Sequence, residues 1–179
     1  MAEIRITAMT AQYAADILSW RYPSPYDYYD VTDEDLDYYL DPANGFFAVL
    51  SGGDFIGFRS FGPDGQVPGG TYDDSALDTG GGLRPELTGQ GLGRVAIGTG
   101  LEFGRERFAP PAFRVTIASF NLRAQRVVSA LGFRGSSISV QARRCRVSEL
   151  GIARGGPGGA LFARWQRGMA TGDRATELR

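Results

Sequence analysis

Leu83-Arg84-Pro85-Glu86-Leu87-Thr88-Gly89-Gln90-Gly91-Leu92-Gly93-Arg94 is the stretch on which the reading of this chain turns. Gly89, Gly91 and Gly93 alternate where a strand pattern gives way to a helical one. Glycine lets successive backbone N–H groups turn toward one point, and its missing side chain lets a diphosphate come close. The helix that follows adds unpaired N–H donors and the positive end of its dipole. Arg94 brings a full charge into the first turn. The stretch reads as a phosphate site and does not by itself say which phosphate.

Working outward, Ile4 and Ile6 alternate with polar neighbours and predict a first strand over Glu3–Ala8. Thr10 caps a helix with Tyr13, Ala14, Ile17, Leu18 and Trp20 on its apolar side. Pro23 and Pro25 keep Tyr22–Asp30 from being helical throughout. A short helix follows, capped by Thr32, with Leu36, Tyr39 and Leu40 apolar. Phe46–Leu50 and Phe55–Phe61 read as a hairpin around Ser51-Gly52-Gly53-Asp54. The Gly/Pro-rich connection Gly62–Asp74 is expected to be mobile. Ser75–Leu83 is a strand in which Gly80-Gly81-Gly82 suggests a bulge or a close backbone approach.

Beyond the glycine loop a helix runs to about Arg107, with Val95, Ile97, Leu101 and Phe108 as its apolar residues. Phe113–Ala118 is a strand. Asn121 caps a helix that passes through Val127, Val128 and Leu131 and ends at Gly132. Phe133–Val140 and Ala160–Trp165 are expected to be the last two strands, around the Gly155–Gly159 turn. Residues 1–167 read as a single domain and 168–179 as a polar tail.

Composition removes several chemistries. The chain has no histidine, which excludes Ser-His and Cys-His mechanisms and His-ligated metal sites, and we expect no metal. All 19 basic residues are arginine, so a P-loop lysine and a Schiff-base lysine are absent too. Cys145 stands alone, which fits a reducing cytoplasm. No window approaches the roughly 20 apolar residues of a membrane span, and Met1–Ile6 lacks a signal-peptide pattern. Up to Glu86 there are 15 acidic residues against 4 arginines, and from Leu87 onward 5 against 15. The basic half suits a phosphate-bearing ligand and the acidic half a cation such as an amine. Its arginines are dispersed apart from Arg143, Arg144 and Arg146, so no nucleic-acid partner is expected.

Three phosphate folds compete for the loop. A Walker loop fails because no Gly-Lys-Ser/Thr follows the glycines. Gly91-Leu92-Gly93-Arg94-Val95-Ala96 matches the dinucleotide pattern, yet Arg84–Thr88 intervenes and no acid follows the next strand. The third candidate fits most of the chain. Thr88-Gly89-Gln90-Gly91-Leu92-Gly93 resembles the R/Q-x-x-G-x-G/A signature of the GNAT N-acetyltransferase superfamily, with Thr88 in place of Arg or Gln. Asn121-Leu122-Arg123-Ala124 followed by Leu131-Gly132-Phe133 resembles the "N-x-x-A…GF" segment after the fifth strand of these enzymes. Trp20-Arg21-Tyr22 with Pro25-Tyr26-Asp27, and Gly82-Leu83-Arg84-Pro85, look like a group of uncharacterised bacterial members.

The resemblance implies an α+β fold: a mixed, mostly antiparallel sheet of about six to seven strands with about four helices. It also implies an N-acetyltransferase that uses acetyl-CoA on a primary amine of a small molecule or peptide, and it admits a homodimer. Leu83 and Arg84 should then offer backbone groups to the pantetheine arm. Thr88, Gly89, Gln90, Gly91, Leu92, Gly93 and Arg94 should hold the pyrophosphate, and Asn121 should meet the pantetheine or thiol. Arg123 and Arg126 fit the 3′-phosphate side or plain solvated helix faces. Asp78 is the candidate general base through water, or else a solvent-facing edge residue. Many relatives carry a tyrosine seven residues after the asparagine, where this chain has Val128. Tyr22, Tyr26 or Ser129 could replace its hydroxyl; otherwise the thiolate leaves unassisted or transfer is impaired. That last outcome would leave an acyl-CoA-binding sensor or partner module. Trp20, Tyr22, Tyr26, Asp27 and Tyr29 could form an aromatic and acidic lip for a cationic amine, or seal a helix onto the sheet.

Overall fold

Apolar residues, alternating in β1 (Ile4–Ala8) and nearly continuous in β2 (Phe46–Ser51), build with β3 (Asp54–Phe61) three antiparallel strands. Gly52 and Gly53 turn β2 into β3 with φ of 60° and 104°, values a Cβ would oppose. The register shifts between Val49 and Leu50, which pair with Gly57 and Phe55, so Ile56 is the extra residue of a bulge. That bulge brings Phe55 and Phe58, three apart, onto the same face.

The computed structural model describes residues 2–31, 36–67, 70–142 and 145–151. Its sheet continues through β4 (Leu77–Leu83) and β5 (Phe113–Ala118) to β6 (Arg134–Ala142) and β7 (Cys145–Gly151). The spatial order is β1-β2-β3-β4-β5-β7-β6, antiparallel everywhere except between β4 and β5. The expected mixed sheet is present with seven strands, but the final hairpin differs from expectation. Its second strand is Cys145–Gly151, and the Ala160–Trp165 strand, the Gly155–Gly159 turn and the 168–179 tail lie outside the described residues. Pairing with β5 from Arg114↔Gly151 to Ala118↔Val147 inserts β7 between β5 and β6.

Two helices cover one face. Helix α1 (Ala11–Ser19) starts at Thr10, whose hydroxyl accepts from the Tyr13 amide at 3.3 Å. It buries Ala14 and Ile17, with Trp20 just beyond, against Phe46, Ala48, Leu50, Phe55 and Phe58. Helix α2 (Leu36–Leu40) adds the buried Tyr39, whereas Leu36 and Leu40 are exposed. Its expected cap, Thr32, lies outside the described residues.

The opposite face carries α3 (Leu92–Phe108) and α4 (Leu122–Ala130). Helix α3 buries Ala96, Ile97, Gly100, Leu101 and Gly104, while the expected Val95 and Phe108 are largely exposed. Small residues were the missed half of this face. A Cβ on Gly104 would lie 2.5 Å from the Phe61 ring, so glycine lets helix and sheet meet. The connection after β3 is packed in its first part, whereas Pro63, Thr71, Asp73 and Asp74 are exposed. Asp64, Gly65 and Val67 are buried, and the Val67 amide donates to the Tyr72 hydroxyl at 2.8 Å.

Candidate active site

Among the described residues, β4 and β5 pair only through Leu77↔Phe113 and Asp78↔Arg114. Beyond that point β4 stays with β3 to Leu83, β5 stays with β7 to Ala118, and the two part. Antiparallel pairs alternate in hydrogen bonding, and the Arg84 amide donates to the Ile56 carbonyl at 2.9 Å. Gly82 and Arg84 therefore face β3, while the backbone groups of Gly81 and Leu83 face the opening. An extended ligand between the strands would meet Gly81 and Leu83. The three glycines keep strict register here, so the close approach is present without a bulge. A Cβ on Gly81 would stand 2.4 Å from the Phe58 carbonyl oxygen.

The glycine loop lies at the open end. Pro85–Leu87 forms a 3-10 turn, braced by Thr88 Oγ1 donating to the Pro85 carbonyl (2.8 Å) and Gln90 Nε2 to the Glu86 carbonyl (2.7 Å). Gly89 and Gly91 have φ of 81° and 82°, and Gly91 caps α3. The first amides of α3, through Gly93 to Arg94, have no intrahelical acceptor and point out of its N-terminus. A Cβ on Gly93 would lie 3.8 Å from Val127, and one on Gly98 3.9 Å from Leu131, so α3 and α4 run side by side in one direction. Both N-termini face the same end, with Arg94 and Arg123 exposed in their first turns. Helix dipoles disfavour cations at that end, so these arginines suit an anion lodged there. Among the candidates, these residues fit the phosphates of a coenzyme; Arg126, exposed one turn along α4, adds charge.

The lip is tied to this cradle at three points. Tyr22 Oη donates to the Leu83 carbonyl at 2.7 Å, and Asn121 Nδ2 donates to Tyr29 Oη at 3.1 Å. The Arg123 guanidinium stands 3.8 Å over the Tyr26 ring. Tyr26, Tyr28 and Tyr29 gather around Phe120, at 5.5–6.0 Å between ring centres, and Asp27 is exposed beside them. Burial, then the charges of Asp30 and Glu86, push the Tyr22 phenol well above its ordinary pKa and keep it protonated.

Several sequence candidates have other employment. Trp20 is buried, stacked on Phe55 and tilted against Phe58, so it holds α1 to the sheet and lies beneath the lip rather than in it. Arg84 uses its amide on Ile56 and its guanidinium on Asp16 and the Phe55 carbonyl, which fastens α1 to the sheet. Asn121 caps α4 through Oδ1, accepting from the Ala124 amide at 3.1 Å, so its side chain orders the helix start and the lip together.

Asp78 is not a solvent-facing edge residue, and both its oxygens are engaged by side chains. It is 4 % exposed, and Arg114 donates to both its oxygens, at 2.6 and 2.9 Å; Gln66 adds a bond at 2.9 Å. Val128 is wholly buried in the main core, and Ser129 is exposed on the outer side of α4. Sequence reading passed over Arg114, Phe120 and Gln66. Only Phe120 carried a signal, being an aromatic residue directly before the motif asparagine.

A profile of the acetyltransferase (GNAT) family matches residues 11–133. No curated protein matches the sequence. Among solved structures, the fold is similar to a Vibrio cholerae spermidine N-acetyltransferase in complex with CoA and spermine. The TM-score is 0.66 at 16% identity, covering 84% of this chain and 95% of that one. Aminoglycoside acetyltransferase AAC(6′)-Ib in complex with coenzyme A and kanamycin gives 0.67 at 17% identity, covering 85% and 95%. A putative GNAT-family acetyltransferase from Bordetella pertussis gives 0.64 at 18%, covering 84% and 95%. The strand opening, the glycine cradle at the α3 N-terminus and the family profile agree: this chain belongs to the GNAT family of acetyl-CoA-dependent N-acetyltransferases.

Proposed function

We propose that the protein moves the acetyl group of acetyl-CoA directly to a primary amine on a small cationic molecule or a peptide N-terminus. The observation that carries this reading is the parting of β4 and β5 beside the Gly89–Arg94 loop, with an aromatic, acidic lip at its mouth. Acetyl-CoA supplies an activated thioester. The chain's part is to hold the phosphates at the loop and α3 amides, and to align the arm along Gly81 and Leu83. Tyr26, Tyr29 and Phe120 offer ring faces to a cation, and Asp27 offers charge. A free alkylammonium has a pKa of about 10 and must lose a proton before it attacks. With Asp78 held by Arg114, we assign that proton to water. Two structural neighbours hold amines, spermine in one and kanamycin in the other, which supports a cationic acceptor.

We place the protein in the cytoplasm as a single domain over residues 1–167, acting on free amines rather than nucleic acid. Among the described residues, no helix is long and apolar enough to cross a membrane. The experiment is thiol release from acetyl-CoA across polyamines, aminoglycosides and N-terminal peptides, alongside thermal melts with the cofactor. Release with one acceptor class supports the proposal, and a melt unmoved by millimolar acetyl-CoA overturns it. The burial of Val128 and the locked Asp78 favour one other reading, a binding-only acyl-CoA sensor. Stabilisation by acetyl-CoA without thiol release from any acceptor would select it.

A further inference from the structure

We infer that Arg123 is a positioning residue with two clients, a phosphate oxygen of coenzyme A and the ring of Tyr26. Through it, cofactor occupancy sets the wall of the acceptor site. The guanidinium lies 3.8 Å over the Tyr26 ring, and one of its terminal nitrogens is 3.7 Å from where a Cβ on Gly89 would stand. It thus lies between the lip and the phosphate loop. Arg123 is the second residue of α4, where the helix dipole disfavours a cation, so helix stability does not explain it. The other ties of the lip, Tyr22 to Leu83 and Tyr29 to Asn121, end on the same cradle. Of the three, only the Arg123 tie carries a charge that an incoming phosphate would attract.

An exposed arginine loses side-chain freedom when it grips an anion. Stacking on Tyr26 removes part of that freedom beforehand and holds the guanidinium over the loop. Coupling is reciprocal: whatever Tyr26 adds to cofactor affinity, the cofactor returns as order in Tyr26. The role of Tyr26 as acceptor wall rests on the function proposed above, whereas its coupling to the cofactor does not.

The test is calorimetric binding of CoA and of 3′-dephospho-CoA to the full chain, with no turnover required, so absent acetyl transfer leaves it intact. Tyr26→Leu should weaken CoA binding roughly three- to tenfold, and Tyr26→Phe, which keeps the ring, should leave it unchanged. In an Arg123→Ala background, Tyr26→Leu should cause no further loss. Ligand-free melting points confirm that each variant is folded. A Tyr26→Leu effect retained with 3′-dephospho-CoA assigns the oxygen to the diphosphate, and one lost with it assigns the 3′-phosphate. An unchanged CoA affinity in Tyr26→Leu, or an equal loss with and without Arg123, overturns the inference.

Discussion

Asp78 and Arg114 are both the last cross-strand pair before β4 and β5 separate and a buried two-pronged ion pair, at 2.6 and 2.9 Å. The place where the sheet opens is therefore fixed by side chains as well as by backbone. Arg114 also reaches the carboxylate and carbonyl of Asp73, at 3.2 and 3.1 Å, which pins the incoming loop. Asp78→Asn would remove the buried counter-charge of that guanidinium, and breaking a buried pair costs about 3–5 kcal/mol. We expect a loss of about 3 kcal/mol in urea unfolding, with kcat/KM per folded molecule largely kept. A variant of native stability whose kcat/KM collapses would return Asp78 to the role of base.

Tyr22→Phe removes the hydroxyl that donates to Leu83 and should cost about 1 kcal/mol at neutral pH. Its pH dependence has a definite sign. Burial, Asp30 and Glu86 raise the folded pKa above the ordinary 10.0, so above pH 10 the unfolded chain ionises first. The stability from the hydroxyl is complete below that pH and is lost as pH rises beyond it. The gap between wild type and Tyr22→Phe should then narrow at roughly 1.4 kcal/mol per pH unit. Denaturant melts at pH 8, 9, 10 and 11 measure it, and a constant gap would refute the buried, protonated phenol.

Local patterns were legible where the local chain decides the outcome. Thr10 and Asn121 cap helices through bonds three residues away, and Gly52-Gly53 closes a hairpin, because each device is complete within a few residues. The phosphate loop belongs to the same class. Partnerships across the chain were not legible: Arg114 reads as a polar residue alternating outward from a strand, yet Asp78 lies 36 positions earlier on a parallel neighbour. The strand Cys145–Gly151 was not legible for another reason. Gly155–Gly159 carries the strongest turn signal near the end, while Arg143-Arg144, between β6 and β7, carries none. Glycines on α3 went unread because apolar periodicity does not count residues whose contribution is to let a neighbour in.

Gly91→Ala separates cofactor binding from folding. Its φ of 82° costs a side chain about 1 kcal/mol, and a Cβ there would meet no heavy atom within 4 Å. Stability should fall by that modest amount. If the loop cradles phosphate, the shifted amides should weaken CoA binding at least roughly tenfold, about 1.4 kcal/mol. Titration calorimetry decides, and an unchanged affinity would move the phosphate site away from this loop.

Val128→Tyr asks whether this chain has lost a general acid or never had room for one. Val128 is 0 % exposed, packed in the cluster of Ile97, Leu101, Ile117 and Phe133, and its carbonyl accepts the Phe133 amide at 3.1 Å. A phenol would need volume that a closed core does not have, and overpacking of this kind costs about 1–3 kcal/mol. A coenzyme A thiol, with a pKa near 8.5 by analogy with cysteine, leaves as thiolate without compulsory protonation. We therefore expect the variant to melt earlier and to release thiol no faster than wild type. A variant of native stability that turns over at least roughly tenfold faster would show that position 128 reaches the thiol after all, by lowering the barrier about 1.4 kcal/mol. It would make the wild-type chain the impaired form and favour the binding-only reading.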